Sequence, residues 1–401
     1  MVALAREQEG WTFSKCRHAL RNESFRAAVV PFALTRTILF AIVALVPYIG
    51  QVPPDAAGIR GMKVLRSVQG AVARLRDTVV VADARWYLDI AENGYERASF
   101  NTRTAHNWAF FPLYPVIVRL AANITKELAL TGMVLSNVFF FAALVILHKT
   151  TLEFGFDKSV ANRSIFYLAA FPTSYFYSVP MTESLFLLLT VIAFYAAKRN
   201  QWFGAGLAAG LASATRFAGI VLLPSLALGY WEWRRSGLQR NILSFFLMPV
   251  GLLTFMVFLH SVTGDYFAFR DVQVAFGRPS QLGFFLRPLV EFVVHPTIFS
   301  VWNLYPLHFA CGLLALIASM ILVKEHNWSL ALYTFLSVAM PLSGLTLASL
   351  TRYVMVIFPV YLVLANRFRS PQSDLGVRII LVTMLALMTT CYATRFGFAL
   401  A

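Results

Sequence analysis

The sequence predicts an all-α integral membrane protein: a polytopic bundle of about eleven transmembrane helices with two longer extracytoplasmic loops bearing short interfacial helices. Three observations carry this expectation. Hydrophobic residues make up 58% of the 401 and charged residues only 13%, about half the share of a soluble chain. The apolar residues, 36 phenylalanines among them, gather in runs close to the roughly 20 residues that cross a hydrocarbon core. The basic residues, behind a formal net charge of +15, sit mainly at the ends of those runs. Such a chain is not a disordered protein, a disulfide scaffold or an ordinary cytosolic enzyme. No basic stripe interleaved with aromatics follows one polar face, so nucleic acid is excluded as a partner. Cys16, Cys311 and Cys391 are too scattered for a disulfide framework or a zinc site.

The elements follow in order. Residues 1–30 are polar and basic and read as a cytoplasmic tail, with 31–401 as one polytopic domain. The stretch 31–49 is a retained first span, because no small-residue cleavage site precedes Arg36. Further apolar segments run over 130–148, 163–179, 181–197, 202–215, 217–231, 241–260, 298–322, 328–348, 353–366 and 377–395. Lys and Arg cluster in the tail and in residues 149–163, 198–199, 234–240, 324 and 367–378. These alternate with connections holding a single arginine, at Arg216, Arg352 and Arg395, so the clustered set is cytoplasmic. The loops 50–129 and 261–297 then face outward. The first is itself rich in basic residues, but long loops cross largely regardless of charge.

The densest polar run lies in the first loop, from Asp83 to Tyr95. Asp83 suits a helix N-cap, 84–92 a short helix, and Gly94 the left-handed C′ position. Asp83, Trp86 and Tyr87 stand at i, i+3 and i+4, which puts a carboxylate beside aromatic surface, a face suited to a sugar. Asp89 and Glu92 share another face and read as solvated carboxylates. From His106 to Pro115 two prolines three residues apart forbid an ordinary span start, so an interfacial helix is expected there. His106 is a candidate sugar contact, although a lone histidine is more often simply a surface residue.

Glu183 opens a span that is otherwise apolar. An acid deep in hydrocarbon costs about 2.5–3.5 kcal/mol on insertion scales, whereas at a helix start it is favoured by the dipole. Arg216 ends a run of small residues, Gly204 to Ala214, that lets helices approach closely. Arg216 and Arg352 each stand alone at a non-cytoplasmic turn, and a phosphate is the natural partner of a guanidinium there. A lipid-phosphate sugar donor fits the set, since its phosphate is already the leaving group and no nucleotide fold is needed. Neither a P-loop nor a Rossmann fingerprint occurs. The required parts are one base, Asp83, and cations for the departing phosphate, Arg216 and Arg352.

Five stretches carry a resemblance: DARWYLDIAENGY (83–95), NWAFFPLYP (107–115), FPTSYFYSVPMTESLF (171–186) with GLAAGLASATRFAGIVLLP (206–224), LTRYVMVIFPVYLVLA (350–365), and Thr263 through Arg278. Together the chain resembles the PIG-V-like mannosyltransferases (GPI mannosyltransferase II type) of the GT-C superfamily, over nearly its whole length beyond residue 30. The resemblance implies inverting transfer of mannose from polyprenyl- or dolichyl-phosphate mannose to a glycolipid or glycan acceptor at the extracytoplasmic face. It implies Asp83 as general base, Arg216 and Arg352 as donor-phosphate contacts, and Glu183, Trp86, Tyr87 and His106 as sugar or acceptor contacts. The family's motif often opens with Trp-Asp, whereas here Ala82 precedes Asp83. No metal cluster is legible, so no cofactor is expected. The membrane is the plasma membrane if the source is bacterial, which the compact loops favour, and the ER if it is eukaryotic. The rival reading is a lipid or sugar transporter or flippase, whose short paired helices and buried charges look similar; a third is a non-catalytic subunit.

Overall fold

The computed structural model describes residues 2–49, 76–77, 80–233, 240–278, 282–296 and 304–395, with the side chains of the first helix described from 23 to 46. The start of the long loop at 50–75, most of the basic turn 234–240, the side chain of Cys16 and the start of the 298–322 span lie outside them. Every regular element among the described residues is helical. Among the described residues, five helices are long and apolar enough to cross a membrane: Glu23–Val46 within α1 (Val2–Ile49), Leu128–Glu153, Ile242–Thr263, Tyr305–Lys324 and Pro371–Ala393. Four shorter apolar helices accompany them. Several of the other expected spans are broken or short helices, so helix length among the described residues does not fix the number of crossings.

The breaks have local causes. The expected span 163–179 ends as a helix at Ala169 and continues through a 3₁₀ turn, Ser174–Ser178. Pro172 and Pro180 bracket this stretch and remove backbone donors. Its serines and threonines also compete for backbone hydrogen bonds. Irregular backbone at membrane depth survives only when protein surrounds it, and residues 163–187 are buried throughout. The expected span 353–366 is likewise divided into Leu350–Val354 and Phe358–Arg367, with Pro359 in the first turn of the second piece.

The long helix Leu128–Glu153 packs against Glu183–Lys198, which packs in turn on Trp202–Ser213. Tyr305–Lys324 and Trp328–Leu342 close the other side. In the first loop, Leu113–Thr125 is too short to span. It buries Tyr114, Val118 and Ala122 and exposes Val116, Leu120 and Ile124, the amphipathic pattern of an interfacial helix.

The small-residue run does what its composition implies. A Cβ built on Gly206 would stand 2.3 Å from the Ser244 carbonyl oxygen, and one on Gly210 2.5 Å from that of Leu247. Gly206→Ala therefore forces backbone apart and should destabilise by about 1–3 kcal/mol. Gly204→Ala, whose Cβ meets nothing nearer than 3.8 Å, serves as the matched control. Thermal unfolding in detergent checks this pair; equal midpoints would remove close packing as the purpose of the run.

Candidate active site

Asp83 occupies the N-cap position of the helix Ala84–Asn93, but its side chain does not cap. Its Oδ2 instead accepts a 2.5 Å hydrogen bond from Arg352 Nη1. Ala82, just before it, has φ +48°, and Ser349, just before the helix that carries Arg352, has φ +61°. Both partners thus follow a non-glycine residue in the left-handed region, a conformation that costs on the order of 1–3 kcal/mol and tends to gather at functional sites. Gly94, at the other end of the Asp83 helix, has φ +81° and ψ −164°. Its φ is positive as expected, but its ψ puts it in an extended region that in practice only glycine uses, not in the left-handed helical well.

Arg352 also donates from Nε to Glu183 Oε1 at 2.6 Å. Arg216 Nη1 donates to the same oxygen at 2.6 Å, and to Thr182 Oγ1 at 3.3 Å. Tyr87 Oη lies 3.3 Å from that threonine hydroxyl. Aromatic rings line the cations: Arg352 sits 5.0 Å from the Phe176 centroid, and Arg216 lies 5.7 Å from Tyr353. Asp83, Arg352, Glu183 and Arg216, far apart in sequence, therefore form one continuous chain of ion pairs. It is graded in access. The side chain of Glu183 is 0% exposed, that of Arg352 7%, of Arg216 13% and of Asp83 29%. The carboxylate expected to take a proton is the open end, and the buried acid holds both guanidinium groups together. Glu183 Oε2 is buried with no hydrogen-bond partner among the described residues.

Other expected contacts are arranged differently. Trp86 stacks on Phe110 at 5.7 Å and meets Phe276 of the second long connection edge-on, so the two connections join through this aromatic cluster. Tyr87 is buried rather than offered to solvent. His106 belongs to a separate loop cluster: Nδ1 pairs with Glu96 Oε2 at 2.5 Å, Nε2 with Thr104 Oγ1 at 2.8 Å, and the ring stacks on Trp108. Asp89, read as solvated, accepts from Asn93 and Asn107. Among the described residues, no group of three or more His, Cys, Asp or Glu could hold a metal.

Sequence reasoning passed over Arg36. It lies in the first helix, 4% exposed, and donates to the Ser174 carbonyl at 3.0 Å, Ser178 Oγ at 2.8 Å and Ser174 Oγ at 2.6 Å. It thereby satisfies the irregular stretch that leads into Thr182 and Glu183. The signal was present, since a lone arginine within an apolar span needs a partner.

The family model for mannosyltransferase (PIG-V) matches residues 26–279. Among curated proteins, GPI mannosyltransferase 2 of Schizosaccharomyces pombe is 31% identical over 144 residues, covering 34% of this chain. The match takes in 29% of that relative's length, so the chain spans under a third of it. Among solved structures, ArnT from Cupriavidus metallidurans bound to undecaprenyl phosphate superimposes with a TM-score of 0.51 at 13% identity. That superposition covers 88% of this chain and 62% of ArnT, and it shows a shared fold. With more than half of its length matched by the family model, this multi-pass membrane chain belongs to the PIG-V mannosyltransferase family.

Proposed function

We propose that the protein transfers mannose from a polyprenyl- or dolichyl-phosphate mannose to a hydroxyl of a glycolipid or glycan acceptor, with inversion, on the membrane face that carries Asp83. By the Lys and Arg distribution that face is extracytoplasmic. The single observation that supports this most strongly is the ion-pair chain from half-open Asp83 through Arg352 and Glu183 to Arg216. Asp83 Oδ1 has no hydrogen-bond partner among the described residues and takes the proton of the acceptor hydroxyl as its oxygen attacks the anomeric carbon. The bond from that carbon to the phosphate oxygen breaks, and its electron pair leaves with the lipid phosphate. Arg216 and Arg352 hold the charge that develops there, in a site where low dielectric strengthens each contact.

Arg352 has two roles in sequence. Before donor arrives it holds Asp83; the donor phosphate competes for the same guanidinium N–H groups and releases the carboxylate to act as base. Glu183 keeps both guanidinium groups side by side through Oε1. Arg36 is a positioning residue that holds the stretch leading into Glu183.

The test is purified protein with polyprenyl-phosphate mannose and a panel of glycolipid and glycan acceptors, read by mass. The expected product is an acceptor heavier by one hexose, formed together with free lipid phosphate. Donor counterflow in proteoliposomes without any glycosyl product would replace transfer with transport.

A further inference from the structure

The helix Ala84–Asn93 has a second polar face. Arg85, Leu88, Asp89 and Glu92 stand at i, i+3, i+4 and i+7, and at 100° per residue they point away from Asp83. That face forms one wall of a cleft of about 790 Å³. The other walls come from Lys126 to Ala129, where the membrane-length helix Leu128–Glu153 begins, and from Arg395, just past the end of the membrane-length helix Pro371–Ala393. The cleft thus opens between the ends of two spanning helices, at the level where lipid headgroups lie.

Its charges are of both signs. Arg76, Arg85, Lys126 and Arg395 line it, and Lys126 and Arg395 have φ of +61° and +57°, a conformation disfavoured for residues with a Cβ. Arg85 Nε donates to the Val80 carbonyl at 3.4 Å, a neutral oxygen, and Arg395 Nη2 donates to the Asp77 carbonyl at 3.0 Å, which ties the two ends of the wall together. Three of the acids have partners within the fold. Asp77 faces Arg76 at 3.6 Å, Asp89 accepts from two asparagine amides, and Glu127 accepts from the Leu130 N–H. Glu92, exposed on the same wall, has no partner among the described residues.

We propose that this cleft binds the zwitterionic headgroup of an aminophospholipid, a phosphate and a protonated primary amine on a short spacer, from the leaflet on the Asp83 side. The phosphate meets Arg85 and Lys126, and the ammonium donates to Glu92. A purely anionic headgroup would leave Glu92 opposed, and a quaternary amine has no N–H to give it. The site lies behind the proposed catalytic helix and does not depend on the transfer reaction.

Native mass spectrometry of the full chain in mixed micelles tests this with phosphatidylethanolamine, phosphatidylcholine and phosphatidylglycerol at equal mole fraction. Phosphatidylethanolamine should be retained at least about fivefold over the other two, a difference of roughly 1 kcal/mol. Glu92→Gln should erase the preference for the primary amine, and the double variant R85Q/K126Q should lower retention of every phosphate-bearing headgroup. All three substituted side chains are exposed, so these variants fold. Equal retention of the three lipids, or an unchanged preference in Glu92→Gln, overturns the assignment. Full displacement by soluble phosphoethanolamine at equal concentration also overturns it, because the ligand would then come from solution. Mannosyl transfer assayed on the same preparations keeps a failure here distinct from a failure of the proposed reaction.

Discussion

Asp83→Asn should lower mannosyl transfer by about 10²–10⁴-fold, the range for loss of a general base, while leaving an inserted and folded protein. The fold should tolerate it for reasons visible in the contacts. The amide is isosteric and its Oδ1 can still accept from Arg352 Nη1, and Arg352 retains its bond to Glu183. Asp83 is also the most open member of the chain, at 29% side-chain exposure, so its charge contributes less to stability than that of buried Glu183. The loss should fall on kcat, with KM for the donor little changed, because the missing step is proton removal from the acceptor. Asp83→Glu, which restores the base on a longer arm, should recover part of the rate. Transfer by Asp83→Asn at a rate close to the unmodified protein would take Asp83 out of the chemistry.

Arg352 is the second point of large effect, because it joins the other charges. Arg352→Ala leaves Glu183 fully buried with Arg216 as its one cation partner among the described residues, and removes the Asp83 ion pair. Removing one partner from a buried ion-paired group costs about 3–5 kcal/mol, so this variant should unfold well below the unmodified protein in a detergent melt. Arg352→Lys separates structure from function. A single ammonium keeps the charge near Glu183 but cannot donate from Nε to one acid and from Nη1 to the other at once. It should retain most of the stability, use donor poorly, and show a KM for donor raised at least about tenfold against a small change for acceptor. Equal losses toward donor and acceptor in a stable Arg352→Lys protein would make Arg352 a structural residue.

Much of the architecture was legible because lipid imposes it. Apolar runs and basic flanks are written residue by residue, and Leu128–Glu153 and Tyr305–Lys324 fall where hydropathy puts them. The residues of the candidate site stood out for the same reason: Glu183, Arg216 and Arg352 are charges in an apolar chain. Misreadings came where backbone geometry departed from hydropathy. The stretch 163–179 is apolar enough for a span, yet its prolines and hydroxyl side chains break it, and Arg36, more than 130 residues earlier, supplies the missing hydrogen bonds. Asp83 looked like a cap by position, but a stronger charged donor from residue 352 takes its side chain.

By itself the sequence determined that this chain is a helical membrane protein and which few charged side chains have no ordinary place in it, because burial of charge in lipid is costly wherever it occurs along the chain. Only the tertiary structure decided that Asp83, Glu183, Arg216 and Arg352 share one network while His106 does not, since ion pairing depends on distances of a few ångströms between helices that hydropathy orders along the sequence but does not bring together.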